Sequence, residues 1–204
     1  MTEIRFDRER VLDASGGLFA ARGFDGTSFR DITAATGAKR SLLLYHFGSK
    51  EELWRLAMKQ IVAKLDAAIA RRGMPPVDCP DAEKIGSSLR TYIDALVEVP
   101  EYGQVLLREG VTASPRLEWL IAEFVPAFAF DFVLKDQAAN ARLRGTMLRD
   151  ITIGAPLFAT ALGPFLEASM AAASHTPSVG IHPMSPARRD ELIDILVPLV
   201  LGRN

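Results

Sequence analysis

The chain has 204 residues, 49% of them hydrophobic and 24% charged, with a formal net charge of −1. That length allows one or two domains with a sizeable core, and that balance excludes a polycation held to nucleic acid by bulk charge. No apolar run reaches the length of a membrane span. A single cysteine, Cys79, excludes an internal disulfide and fits a reducing compartment, and the polar opening Thr2-Glu3-Ile4-Arg5 does not read as a signal peptide, so a cytoplasmic protein is expected.

The first predicted helix is capped by Asp7 and runs to about Arg22, with Val11, Leu12, Leu18 and Phe19 on one face and Gly23 as its stop. Gly16 and Gly17 in its interior each cost about 1 kcal/mol relative to alanine. They are expected to let the helix pack closely against the helix pair that follows, with Phe24 anchoring the loop beneath a small three-helix core.

That pair occupies residues 27–50. Ser28 is an N-cap hydroxyl, and Asp31 three residues on closes a weak capping box. Phe29, Ile32 and Thr33 share a face, and Gly37 ends the helix, because a residue without Cβ takes the left-handed conformation of a C-terminal cap. A second short helix is expected from Lys39 to about Tyr45, with Leu43 inward and basic or small residues outward. Two short helices around a tight turn have the shape of a helix-turn-helix, whose second helix enters the DNA major groove while the first crosses the backbone. Arg30, Lys39, Arg40 and Lys50 stand against Asp31 alone, and such a local patch suffices because charges act within about 8–10 Å at cellular salt.

Thr27-Ser28-Phe29-Arg30-Asp31-Ile32, Gly37-Ala38-Lys39-Arg40-Ser41, Leu43, Tyr45-His46-Phe47 and Ser49-Lys50-Glu51-Glu52-Leu53 together resemble the N-terminal signature of TetR-type transcriptional regulators. The similarity covers residues 7 to 58 or so, and beyond them it is architectural. It implies about nine helices, with a helix-turn-helix DNA-binding domain at 1–48 and a helical ligand-binding and dimerisation domain at 49–204. It further implies a homodimer on a palindromic operator in double-stranded DNA, a repressor by family default, released by a small, largely apolar effector. DNA contacts then fall on Thr27, Ser28, Lys39, Arg40, Ser41, Leu42, Tyr45, His46 and Lys50. Lys50 lies beside exposed helix amides that favour an anion and His46 lies beside Tyr45, so phosphate contact stands for both against a merely solvated or structural role. The family usually has Thr where this chain has Leu42 and Tyr where it has Leu44, so contact there is apolar, to thymine methyls, or absent. That departure supports a second reading, a dimeric helical ligand sensor or scaffold with weak or lost specific DNA binding.

Ser49 and Glu52 form a strong helix start, and the fourth helix is expected to reach Arg72 through Leu53, Leu56, Ala57, Ile61, Leu65 and Ile69. The proline-rich run at 73–80 ends it. Asp81 is expected to cap a helix to about Val99, and Pro100 to start a short one to Gly110. Ser114-Pro115 reads as a cap with proline at the first helical position, opening a long helix through Phe124 and Phe128 to Phe132 that bends at Pro126. Residues 137–173 read as one long helix kinked by Pro156 and Pro164, with Gly154 and Gly163 permitting close approach of a neighbour. A proline-rich loop at 175–186 precedes a last helix over 188–201. No segment alternates like a strand, so the fold is all-α.

One short recognition helix supplies few contacts, whereas a twofold pair reads two half-sites about 34 Å apart. The dimer seam is placed on Leu148, Ile151, Ala155, Leu192, Ile195, Leu196 and Leu199, with intramolecular core as the alternative. An effector pocket is placed among Tyr92, Trp119, Phe124, Phe128, Phe158 and Phe165, with Arg108, Glu109, Arg149 and Asp150 as polar contacts; for each aromatic, ordinary packing is the competing role. No enzyme, cofactor or metal is expected. His46, His175 and His182 lack metal-ligand spacing, and adjacent Glu51 and Glu52 diverge by about 100° on a helix.

Overall fold

The computed structural model of the chain describes residues 6–76, 78–124, 134–144, 147–174 and 184–203, apart from the side chains of residues 124, 164, 167, 170 and 174. These residues form eleven α-helices and no strand: α1 Arg8–Arg22, α2 Phe29–Thr36, α3 Arg40–Phe47, α4 Lys50–Arg72, α5 Asp81–Glu98, α6 Pro100–Glu109, α7 Pro115–Phe124, α8 Gln137–Leu143, α9 Met147–Ala161, α10 Gly163–Ser174 and α11 Pro186–Leu201. Packing divides the chain into two units, one from the described parts of Met1–Asp66 and Gln104–Phe128, the other from those of Ala67–Gly103 and Ala129–Asn204. The first unit extends past the boundary expected at 48/49, and α4 and α6 each contribute to both units.

In the first unit α1 starts on Asp7, whose Oδ1 accepts from the Arg10 N–H at 3.0 Å, and ends where the Gly23 N–H donates to the Phe19 carbonyl at 2.8 Å. Val11, Leu12 and Phe19 of α1, Ile32 of α2, Leu43 and Phe47 of α3, and Leu53, Trp54 and Ala57 of α4 are all buried. Gly16 has a different partner from the one expected. A Cβ there would stand 3.3 Å from the Ile61 side chain, so the close approach is to α4 and not to the α2–α3 pair, while Gly17 faces open space. Ser49 caps α4 through the Glu52 N–H at 3.0 Å. Ser114 caps α7 through the Leu117 N–H at 3.1 Å.

In the second unit α5 and α11 pack along each other around Ile85, Leu89, Ile93, Ile193, Leu196 and Val200, with Ala139 of α8 and Met184 completing the core. Two expectations need correction. Asp81 does not cap α5; its carboxylate accepts from the Lys135 and Asp136 N–H groups at 2.9 and 2.8 Å, and those bonds hold its carboxyl below the usual carboxylate range. The helix expected over 137–173 is three helices, which raises the count from about nine to eleven among the described residues. Arg144 leaves helical geometry at φ −94°, ψ 66°, and Pro164 stands in the first turn of α10, where a missing N–H costs nothing, instead of kinking a continuing helix. α11 begins two residues earlier than expected, capped by Ser185, and ends on left-handed Gly202. The bend at Pro126, the helix as far as Phe132 and the loop at 175–183 lie outside the described residues.

Candidate nucleic-acid interface

The turn between α2 and α3 is fixed by local chemistry. The Ser28 hydroxyl accepts from the Asp31 N–H at 3.3 Å, and Asp31 Oδ2 accepts from the Ser28 N–H at 2.8 Å. Hydrogen bonds from the Ser28 side chain and then its backbone hold the Asp31 carboxyl below its ordinary value, with Arg22 at 3.1 Å adding a smaller pull. Gly37 is left-handed at φ 73°, and the Thr36 hydroxyl donates to the Ile32 carbonyl at 2.7 Å while accepting from the Ala38 N–H at 3.2 Å. Lys39 is the N-cap of α3 and makes no side-chain cap bond. The first amides of α3 therefore remain the kind of positive helix end that binds an anion.

α3 separates its faces cleanly. Leu43 and Phe47 point into the core, whereas Arg40, Ser41, Leu44, Tyr45 and His46 are exposed and Leu42 is half-buried. Tyr45 is 82% exposed, far more than packing a tyrosine would leave. His46 lies flat on Phe6, ring centroids 3.9 Å apart at 11°, and Tyr45 meets it edge-on at 5.0 Å. Phe6 thus orients His46, a role that left no signal in the sequence. Arg8 over Phe47 and Arg40 over Phe29 add exposed guanidinium groups to the same unit.

Two of the expected DNA contacts are turned inward. Thr27 is 1% exposed, and its hydroxyl donates to the Gly23 and Leu18 carbonyls at 2.9 and 3.2 Å. Lys50 donates to the Phe24 and Thr27 carbonyls at 3.0 and 3.2 Å, with its ammonium 4.0 Å from the Phe24 ring centroid. Both hold the α1–α2 loop. Ser28 is exposed but its hydroxyl is engaged by the capping box.

The expected effector residues are distributed over both units. Arg108 and Glu109 are bound to Ala20, Ala21 and Arg116, and Trp119 packs on Trp54 at 5.4 Å, all within the first unit. Tyr92 is buried in the second unit with its hydroxyl 3.5 Å from the Ile153 carbonyl, and burial raises its pKa well above the ordinary tyrosine value. Phe158, Phe165, Arg149 and Asp150 are exposed, and the side chains of Phe124 and Phe128 lie outside the described residues. The expected dimer set also divides. Leu196 is core at 2% exposure and Leu148 and Leu192 pack against that core; Ala155 is half-buried, and Ile151, Ile195 and Leu199 are exposed. Among the described residues no helix is long and apolar enough to cross a membrane, and no cluster of metal-ligating side chains occurs.

Among the described residues, an all-α fold with a capped helix-turn-helix and an exposed, basic-ended second helix has the architecture of a helix-turn-helix domain. Residues 11–57 match the family model of the bacterial regulatory proteins of the tetR family. Among curated relatives, the HTH-type transcriptional repressor AcnR of Corynebacterium efficiens is 29% identical over 34% of this chain and 37% of its own length. The HTH-type transcriptional repressor ComR of Escherichia coli is 37% identical over 30% of each. The HTH-type transcriptional repressor NicS of Pseudomonas putida is 29% identical over 51% of this chain and 48% of its own length. The chain thus spans about a third to a half of the relatives it matches. The fold extends further. A TetR-like transcriptional regulator from Rhodococcus sp. RHA1 superposes over 98% of this chain and 97% of its own with TM-score 0.57 at 19% identity. A tetR-family regulator from Streptomyces coelicolor does so over 97% and 89%, with TM-score 0.53 at 20% identity.

Proposed function

We propose that the chain is a homodimeric transcriptional repressor that reads a palindromic operator with α3 and is released by a small-molecule effector. The observation that carries this reading is the outward row of Arg40, Ser41, Leu44 and Tyr45 on a helix whose inward face, Leu43 and Phe47, is fixed in the core. Such a row is what a recognition helix presents to base edges. Arg40 supplies a bidentate donor, Leu44 an apolar contact for a thymine methyl, and Tyr45, His46 and the α3 amides grip phosphate. The named curated relatives are repressors, which supports the sign of regulation. The functional division is a reading head over 1–48 and a sensing and dimerising remainder. The expected cytoplasmic location belongs to this reading.

Selection from fragmented genomic DNA, followed by titration at several salt concentrations, tests it. If each subunit neutralises roughly three phosphates, log K should fall with log salt at a slope of about −5 for the dimer. A twofold-symmetric site bound with that slope is expected. Weak, sequence-blind binding would instead favour the ligand-sensing scaffold.

A further inference from the structure

The α1–α2 loop is where the chain enters the reading pair, and the fate of its carbonyls is informative. Phe19 O accepts from the Gly23 N–H, Leu18 O and Gly23 O from the Thr27 hydroxyl, and Phe24 O and Thr27 O from Lys50. Ala20 O and Ala21 O sit in the last turn of α1, where no later amide reaches them. They accept from Arg108 at the end of α6, Nε at 2.8 Å and Nη2 at 2.5 Å. A guanidinium fork at a helix C-terminus meets both the orphan carbonyls and the negative end of the dipole. Gly26 shows how tightly the loop is folded, since a Cβ there would overlap the Arg22 carbonyl oxygen.

The same corner holds the loop from a second side. Two cations stack on Phe24, Lys50 Nζ at 4.0 Å and Arg116 Cζ at 4.5 Å from its ring centroid. Arg116 is aimed by Glu109, which is 9% exposed and accepts from Arg116 Nε at 3.1 Å, and reaches Asp25 at 3.7 Å. Arg108 and Arg116 come from the α6–α7 segment, some ninety residues beyond the loop they bind. The first turn of α6 has its own tight contact, with a Cβ on Gly103 falling 2.9 Å from Ala161 Cβ of α9.

We propose that Arg108, supported by the Glu109-held Arg116, is a positioning residue for DNA reading: it clamps the end of α1 and so sets the pose of α2 and α3. Neither side chain needs to touch DNA. The proposal rests on the DNA-reading role given above.

The test uses the full chain as Arg108→Ala and Arg108→Lys beside the unaltered protein. Hydrogen exchange of amides over 19–27 should quicken in Arg108→Ala while α11 amides stay unchanged. Affinity for the selected operator should fall roughly tenfold, the usual scale for losing charge-assisted hydrogen bonds, with the salt slope unchanged. Lysine, which donates without the fork, should recover part of the loss. Unaltered exchange at 19–27 would overturn the clamp. A salt slope shallower by about one per subunit would overturn it too, by making Arg108 a phosphate contact. If the unaltered protein selects no operator, the DNA-reading role fails; normal operator binding by Arg108→Ala sinks the positioning role alone.

Discussion

The Thr27 hydroxyl has one proton, shared between the Gly23 and Leu18 carbonyls in a site closed to solvent. Replacing it with valine keeps the shape but leaves those carbonyls short of a donor, at a cost of about 1–2 kcal/mol. Thr27→Val should therefore lower the unfolding free energy from urea titration by that amount while leaving operator affinity of the folded protein unchanged; a loss of that affinity would return Thr27 to the phosphate contacts. Residues whose partners lie within a few positions were legible in the sequence. Ser28, Asp31 and Gly37 act as expected because capping and a left-handed turn are decided locally. Lys50 was not legible, since it bonds Phe24 and Thr27, more than twenty positions back. A cation beside a helix start looks the same in sequence whether it faces a phosphate or the protein's own carbonyls.

At the scale of elements, α11 is tied to α5 by charge as well as by core. Arg189 Nη1 bonds Asp94 Oδ1 and Oδ2 at 2.7 and 2.9 Å, and its Nε bonds Asp190 at 3.1 Å. Asp190 also pairs with Arg90. Hydrogen bonds from Arg189, then Arg90, hold the Asp190 carboxyl below its ordinary range. The folded state therefore binds the proton less readily than the unfolded chain, so this contribution is present above the unfolded carboxylate pKa of about 4 and disappears as pH falls through the lower folded value. Glu98, lowered by Arg72 and then Arg71, behaves the same way. Melting temperature should fall with acidification below about pH 4, and less steeply in Asp190→Asn; parallel curves would show that the pair adds nothing. The exposed side chains keep the effect small. The helices themselves were largely readable from caps and prolines, but the division of 137–173 was not. Leu148, Ile151, Ala155 and Phe158 lie within α9, and their helical period runs on to Leu162 past its end, so periodicity does not register where a helix stops and restarts.

At the scale of the molecule, the all-α class follows from the absence of any alternating segment, but the destination of each apolar stripe does not. On α11, Ile193, Leu196 and Val200 face α5, while Ile195 is 59% exposed and Leu199 is exposed beside it. On α9, Met147, Ile151 and Phe158 recur at near-helical spacing and are also exposed. Core and interface stripes have the same period, so the sequence offered Leu196 and Ile195 as one seam where the structure separates them. Exposed apolar side chains on two helices that touch are what a twofold partner would cover. An aspartate at Ile195 and another at Ile151 would each bury a carboxylate at such a seam, against a desolvation penalty of several kcal/mol per ion. The unaltered chain should sediment as two copies and Ile151→Asp/Ile195→Asp as one, with an unchanged circular dichroism spectrum because neither side chain belongs to the core. Operator affinity of the variant should fall to that of a single half-site, with the salt slope about halved as half the phosphate contacts are lost. A double variant that still sediments as a pair would move the seam elsewhere, and an unaltered chain that sediments as one copy would remove the twofold reading of the operator with it.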